Sequence, residues 1–213
     1  MKYCKYSIGP MKNKTVFVDI DTQFDFMNPR GTLYVPDAED IVDNIKKLFD
    51  CAKEHKIKIL SSIDAHTVDD PEFKRFPSHC IKDTPGSQKI EASMCDDNII
   101  IENREQEITM SMMDHEQIIV ESQTFDIFES VNTDKIIKKL DAQNFVVFGV
   151  ATDYCVKAAV LGLLKRGYNV SLVTDATKAI TKKGEGKTLN QMKDTGAVFT
   201  TTNGVIAEQI SLG

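Results

Sequence analysis

Residues 149–156 read Gly-Val-Ala-Thr-Asp-Tyr-Cys-Val, and the segments on either side of them indicate the fold. The apolar run at 145–148 predicts a short buried strand, and the apolar run at 157–164 predicts a buried helix. Cys155 is therefore expected near the first turn of a helix, just past the carboxyl end of a strand. The free N–H groups and partial positive charge of a helix N-terminus favour a thiolate and can hold an oxyanion. Cys155 is thus a candidate nucleophile, and the alternative is a small buried cysteine that fills the junction.

Apolar runs continue to alternate with amphipathic segments along the chain. Strands are predicted at 15–20, 57–63, 117–120, 145–148, 170–173 and 197–200, and helices at 40–55, 133–140, 157–164 and 187–193. Thr133 is a candidate N-cap for its helix. Between 88 and 117 the pattern favours a short strand at 98–102 and a short helix at 105–113. Strands that alternate with helices are typical of a parallel sheet covered on both faces, so the predicted class is α/β.

Polar side chains follow four of these predicted strands. Asp21, Asp64, Ser122 and Cys155 each come just after a strand ends. In parallel sheets the ligand site lies outside the carboxyl ends of the strands, so these side chains predict an active site there. Taken singly, each Asp or Ser is also an ordinary loop residue.

Composition limits the classes of function. A length of 213 residues with 41% hydrophobic residues favours one domain, predicted at 15–213 after a polar extension at 1–14. The net charge of −6 offers no basic footprint for nucleic acid, and no apolar run approaches the roughly 20 residues that span a membrane. Five cysteines without C-x-x-C spacing argue against a disulfide framework and against a Cys-rich zinc site. A reducing, cytoplasmic compartment is expected, because no signal peptide is recognisable.

A group of potential metal ligands lies between residues 64 and 79. Asp64 and His66 are separated by one residue, and His79 follows on the same loop system. Glu72 lies between them and offers a fourth ligand. Imidazole and carboxylate suit zinc, iron or manganese, although D-x-H is common by chance and on spacing alone ordinary surface histidines are the favoured interpretation.

Four motifs follow one another in a fixed order along the chain. They are D-x-Q-x-D-F at 21–26, D-x-H at 64–66, F-P-S-H-C at 76–80 and the segment 149–156. Together they resemble the isochorismatase-like cysteine hydrolases, in particular the nicotinamidases, over residues 15–200. The resemblance implies a three-layer α/β/α fold with a central parallel sheet, and amide hydrolysis through a thioester on a cysteine.

The resemblance also implies roles for the strand-end residues. Asp21 matches the family aspartate, which takes the proton of the cysteine and later helps to deliver water. Cys155 matches the nucleophile. A cis peptide bond before Ala151 is implied, with the backbone N–H groups of Ala151 and Cys155 forming the oxyanion site.

The metal site and the aromatic residues are implied in the same way. Asp64, His66 and His79 match metal ligands, and the metal binds the pyridine nitrogen of nicotinamide. Glu72 stands where many members carry another histidine, and a carboxylate can also bind a metal. Zinc is the expected ion, with iron or manganese as alternatives.

Two phenylalanines match residues that flank the substrate ring in this family. They are Phe26 and Phe76, and position 76 is often Trp in the family, whereas this chain contains no Trp. Stacked rings attract in either case. The alternative for both is plain core packing.

The chain departs from the family at one catalytic position. The family lysine follows the strand that is predicted to end at Val120, and the matching residue here is Ser122. A cation within about 4–6 Å would lower the pKa of a carboxyl or thiol by roughly 1–3 units, and serine brings no charge. A natural variant with weak or altered activity, an altered sequence, and a lysine from elsewhere such as Lys178 are the competing explanations.

Three hypotheses follow from these residues. The first is a nicotinamidase of pyridine nucleotide biosynthesis, which converts nicotinamide and water to nicotinic acid and ammonia. The second is a hydrolase of another small amide, of a carbamoyl compound or of an isochorismate-like vinyl ether, and the presence of Cys155 counts against the vinyl ether. The third is a catalytically impaired member that binds a small ligand, which Ser122 favours. The resemblance also implies a homo-oligomer with a small-molecule substrate.

Overall fold

The computed structural model describes residues 15–212, so the polar extension predicted at 1–14 lies outside the described residues. Seven parallel strands form one sheet in the order β3-β4-β2-β1-β5-β6-β7. They are β1 (Thr15–Ile20), β2 (Lys58–Asp64), β3 (Asn98–Ile101), β4 (Gln117–Ser122), β5 (Asn144–Val150), β6 (Asn169–Lys178) and β7 (Val198–Thr200).

Helices cover both faces of this sheet. They are α1 (Phe24–Met27), α2 (Val42–His55), α3 (Thr133–Leu140), α4 (Cys155–Lys165), α5 (Lys182–Thr195) and α6 (Thr202–Leu212). None of the helices within residues 15–212 is long and apolar enough to cross a membrane. The predicted three-layer α/β/α fold is confirmed.

The two faces of the sheet belong to two separate apolar clusters. Successive side chains of a strand point to opposite faces. In β1, Val16 and Val18 therefore pack with α3, α4 and α5, whereas Phe17 packs with α2 and α6. Each cluster is closed by helical side chains that are fully buried, such as Ile45 of α2 and Val160 of α4.

The strand order reverses at the centre of the sheet. The chain runs from β1 outward to β2, β3 and β4, and then returns to place β5 on the other side of β1. The crevice at such a reversal, outside the carboxyl ends of the strands, is where parallel α/β sheets bind ligands. The ends of β1, β2, β4 and β5 all meet there, and these strand ends carry the polar residues that the sequence analysis selected.

Some local predictions were wrong. Residues 105–113 do not form a helix: only Ser111–Met113 makes a single 3₁₀ turn. The buried side chains of this segment, Ile108 and Met113, are five residues apart, a spacing that an α-helix places on different sides. Thr133 does not cap its helix, because it is the first helical residue and its hydroxyl donates to the carbonyl of Ile127. Helix α6 was not predicted.

Candidate active site

Cys155 is the first residue of α4, as the sequence predicted. The peptide bond between Val150 and Ala151 is cis, which confirms the expectation for this segment. The backbone of Ala151 makes a hydrogen bond to the Cys155 side chain, and as a first helical residue Cys155 has an N–H without an intrahelical partner. The two backbone groups named as an oxyanion site therefore lie beside the nucleophile.

Gly149 allows β5 to approach β1 at the level of the site. Its φ is +115°, and a Cβ at this position would lie 2.2 Å from the carbonyl oxygen of Ile20. Only glycine fits here, because any side chain would separate the two central strands. The segment that carries the nucleophile is thereby held against the strand that ends at Asp21.

Asp21 lies at the end of β1 and turns out of the sheet with a φ of 50°. Its Oδ1 accepts a hydrogen bond from the Ser62 hydroxyl at 2.5 Å, and its side chain is also hydrogen-bonded to the Cys155 thiol. Burial, followed by the nearby Asp64 carboxylate, raises the pKa of Asp21 to about 7. This is the pKa of a group that can accept and return a proton near neutral pH.

The Cys155 thiol holds its proton firmly in this arrangement. Burial raises its pKa well above the ordinary value, and the carboxylates of Asp21 and Asp64 raise it further. Cys155 and Asp21 therefore form a thiol–carboxylate pair in which the thiol donates and the carboxylate accepts.

Ser122 does not replace the missing cation. It ends β4 in register with Asp64, but its hydroxyl donates to the carbonyl of Thr124 at 2.8 Å and accepts from the N–H of the same residue. Lys178 does not supply the charge either, because its Nζ lies 3.1 Å from the Asp40 carboxylate. Within residues 15–212, no lysine or arginine lines the narrow cavity that Asp21, Ser122 and Cys155 share.

The potential metal ligands converge at the end of β2. The Oδ2 atom of Asp64 lies 3.6 Å from His66 Nε2 and 3.4 Å from His79 Nε2. Glu72 lies to one side: its Oε2 is 3.7 Å from His66 Nε2, but it groups with His66 and Asp70 and not with Asp64 and His79. Tetrahedral zinc with bonds of about 2.0–2.2 Å separates its ligand atoms by about 3.3–3.6 Å, so the distances from Asp64 to the two histidines fit one ion.

Three buried atoms of this group have no hydrogen-bond partner among the described residues. They are Asp64 Oδ1 and both ring nitrogens of His66, and burying such atoms is costly unless something binds them. His79 Nδ1 lies 2.7 Å from the Pro77 carbonyl, which directs its Nε2 toward Asp64. The donor set and its orphaned atoms therefore fit a divalent metal ion.

The charges around the two histidines lead to the same conclusion. Burial opposes their protonation, but the carboxylates of Asp64 and Asp70 outweigh it and raise the pKa of His66 to about 9. Asp64 likewise raises the pKa of His79 against the effect of burial. The site attracts positive charge, which protons supply in part and a divalent ion would supply more fully.

Cys155 lines an apolar pocket together with two of the potential metal ligands, Asp64 and Glu72. Phe26 and Phe76 line it, and their rings lie 5.6 Å and 6.4 Å from the His79 ring, between centroids. Leu33, Val35, Phe125, Val150, Tyr154 and Ile180 complete the apolar wall. Within the described part of the chain, no cationic side chain lines this pocket.

Several site residues were missed in the sequence analysis. Ser62 holds Asp21, and Asp70 places its Oδ2 3.0 Å from His66 Nδ1, in a direction that is not aligned as a hydrogen bond. Tyr154 lies inside the motif at 149–156 and Phe125 lies three residues after Ser122, but nothing in these segments shows which side chain faces a cavity. Ile180 lies beyond the motifs and carried no signal.

Comparisons with known proteins place this site in a family context. Residues 15–204 match the family described as the Isochorismatase domain. The chain is 26% identical to a nicotinamidase of Saccharomyces cerevisiae over 211 residues, which cover 85% of this chain and 94% of the relative. It is 24% identical to an Arabidopsis thaliana protein named "Probable inactive nicotinamidase", with 85% and 89% covered. The crystal structure of a Pyrococcus horikoshii pyrazinamidase in complex with zinc superposes with a TM-score of 0.76 at 26% identity, covering 88% of this chain and 99% of that one.

Proposed function

This chain belongs to the isochorismatase family, and on that premise we propose that it is a metal-assisted cysteine amidohydrolase whose substrate is nicotinamide. One observation carries the proposal. A thiol–carboxylate pair, Cys155 and Asp21, lies close to a metal-ligand set with orphaned buried atoms, and Cys155, Asp64 and Glu72 line one apolar pocket. A small aromatic amide fits this arrangement, because its ring suits the apolar walls and its two polar ends suit the two polar groups.

The reaction begins with the transfer of the Cys155 proton to Asp21. The sulfur attacks the amide carbon and forms a C–S bond, and the negative charge on the oxygen is held by the backbone N–H groups of Ala151 and Cys155. Asp21 returns the proton to the amide nitrogen, the C–N bond breaks, and ammonia leaves a thioester behind.

Water completes the cycle. Asp21 takes a proton from a water molecule while the water oxygen attacks the thioester carbon. The C–S bond then breaks, and the acid product leaves. The proton on Asp21 returns to the sulfur, so that one amide and one water yield one acid and one ammonia. The pKa of about 7 for Asp21 suits both directions of transfer.

The metal would be held by Asp64, His66 and His79, with Glu72 beside them. When bound, a divalent ion supplies a Lewis-acidic position that an aromatic ring nitrogen can occupy. Phe26 and Phe76 then hold the ring from the sides and exclude water from it.

With Ser122 in place of the family lysine, we expect amide hydrolysis to be slower. Without a cation, the proton transfer from Cys155 to Asp21 starts from a thiol with a raised pKa. The name of the Arabidopsis relative is consistent with members of low or no activity, and an impaired enzyme is the second candidate function.

The charged side chains around the pocket also indicate the charge of the substrate. Asp64 and Glu72 line the pocket, Asp21 lines the adjoining narrow cavity, and no lysine or arginine lines either of them within residues 15–212. A carboxylate on a carbamoyl compound or a vinyl ether would meet these like charges and find no lysine or arginine as a partner, so that only a bound metal ion would offset the repulsion. Neutral amides are therefore favoured over carboxylate-bearing substrates.

The direct test is ammonia release from nicotinamide by the zinc-loaded protein, with Cys155→Ala and Cys95→Ala as a matched pair. Cys95 is half-buried and lies outside the pocket, so only Cys155→Ala should lose activity. Mass spectrometry should detect a nicotinoyl adduct on Cys155 in the parent chain.

The variant Ser122→Lys distinguishes the two candidate functions. Activity in the parent chain supports a working amidohydrolase, whereas activity in the lysine variant alone supports a member that is disabled at one position. If neither chain releases ammonia or forms the adduct, the nicotinamidase proposal is wrong.

A further inference from the structure

The side-chain amide of Gln23 is fully buried and makes three hydrogen bonds, all to backbone groups. Its Oε1 accepts from the N–H of Asp64 at 2.7 Å, and its Nε2 donates to the carbonyl of Asp64 at 2.8 Å. The same Nε2 also donates to the carbonyl of Ser87 at 2.8 Å. One side-chain amide thus binds both backbone groups of a metal-ligand candidate.

This contact replaces a missing strand. Strands β1 and β2 pair only as far as Asp19 and Ser61, because the chain turns out of the sheet at Asp21. On its other side, β2 still pairs with β4 at Asp64, in register with Ser122. At Asp64, β1 no longer runs beside β2. Without Gln23, the N–H and C=O of Asp64 would therefore be buried without a hydrogen-bond partner.

We propose that Gln23 is a positioning residue that fixes the backbone of Asp64 so that its carboxylate points at the metal. The proposal rests on the proposed function for the presence of the metal. Gln23 lies two residues after Asp21, so a single short segment carries both the proton acceptor and the clamp on the metal ligand. The same short segment therefore fixes the distance between the Asp21 carboxylate and the Asp64 metal ligand.

The experiment compares Gln23→Met with Gln117→Met. Gln117 is an ideal control, because it is also fully buried and its amide also joins separate segments through Ser61, Ser93 and Cys95. It begins β4 at the other end of the sheet from the metal ligands. Both variants should lose stability to urea, since each leaves buried backbone or hydroxyl groups without partners.

Zinc affinity is the readout that separates them. Competition with a chromophoric chelator should show zinc bound about 10- to 100-fold more weakly by Gln23→Met, as for other residues that orient a metal ligand. Gln117→Met should bind zinc as the parent does. The absorption bands of the cobalt-loaded proteins should change only for the Gln23 variant, because they report the arrangement of the ligands.

The outcomes distinguish this inference from the proposed function. If Gln23→Met does not fold, Gln23→Asn takes its place: it keeps the amide but is one methylene too short to span both groups of Asp64. Parent-like zinc affinity and cobalt spectra in a folded Gln23 variant would overturn the inference alone. A parent chain that binds no zinc would overturn the metal site of the proposed function, and this inference with it.

Discussion

Asp19 and Asp21 are both buried aspartates of the same chain segment, two residues apart, yet their surroundings differ completely. Asp19 is fully buried in the sheet, where Lys89 Nζ lies 2.7 Å from its Oδ2 and the hydroxyls of Ser61 and Thr22 donate to it. Asp21 has a serine and a thiol as partners and, within residues 15–212, no ion pair. The first carboxylate has a full set of partners, and the second lacks a balancing charge.

The difference indicates what each group is suited for. A buried ion pair that is hydrogen-bonded on all sides holds its parts in place. A buried carboxyl without a cation keeps a raised pKa and can exchange a proton with its neighbour. Lys89 ties a loop to the sheet, whereas the absence of a lysine at Ser122 leaves Asp21 more basic than an ordinary aspartate.

Substitution of the two aspartates by asparagine should affect different properties, namely activity for Asp21 and stability for Asp19. Asp21→Asn should reduce ammonia release by about 10²- to 10⁴-fold, the usual contribution of a general acid–base, while the protein stays folded. Asp19→Asn should leave Lys89 buried without its charge partner and chiefly lower the free energy of unfolding. Steady-state kinetics and urea denaturation of both variants measure this, and equal loss of activity in both would refute the contrast.

Removal of the cation that pairs with Asp19 should destabilise the protein strongly. Lys89→Met should lower the free energy of unfolding by about 3–5 kcal/mol, because it leaves a buried carboxylate unpaired. Lys82→Met is the matched control: Lys82 pairs with Glu121 at 2.6 Å, but 40% of its side chain is exposed, so its loss should cost about 0–1 kcal/mol. Similar losses in urea denaturation would show that burial of the Lys89 pair is unimportant.

The raised pKa of Asp21 predicts how stability depends on pH. Between the ordinary value of 3.8 and about 7, the folded state holds a proton that the unfolded state has released, so stability falls as pH rises through this window. The metal-free parent should therefore lose up to about 4 kcal/mol relative to Asp21→Asn between pH 4 and 7. Urea denaturation at several pH values in the presence of a chelator measures the difference. Parallel pH profiles for the two proteins would contradict the prediction.

A lysine at position 122 should make Asp21 resemble Asp19. Ser122→Lys should lower the pKa of Asp21 by about 1–3 units and raise the rate of ammonia release, because the cation stabilises both the carboxylate and the thiolate. The pH profile of kcat/KM reports the shift. Ser122→Met, of similar length but without charge, is the control, and a gain in the methionine variant would mean that filling the cavity matters rather than charge.

Much of this architecture is predictable from local patterns. The apolar runs locate the core strands, and the residues after them locate Asp21, Asp64 and Cys155 at one edge of the sheet. Short-range periodicity suffices for this, because a parallel sheet brings its strand ends together wherever the connections lead. The same reasoning failed at 105–113, where two buried side chains anchor a segment without regular helix, and at α6, whose apolar side chains form no clear stripe.

The sequence by itself determined the α/β class, the order of the four motifs and the missing cation at Ser122. Only the tertiary structure decided which polar groups meet. Lys178 pairs with Asp40, Lys89 pairs with Asp19, and Gln23 is hydrogen-bonded to the backbone of Asp64. The physical reason is distance along the chain. Periodicity and motifs report on neighbours within a few residues, whereas these partners lie between 41 and 138 residues apart and meet only when the sheet and its loops have folded.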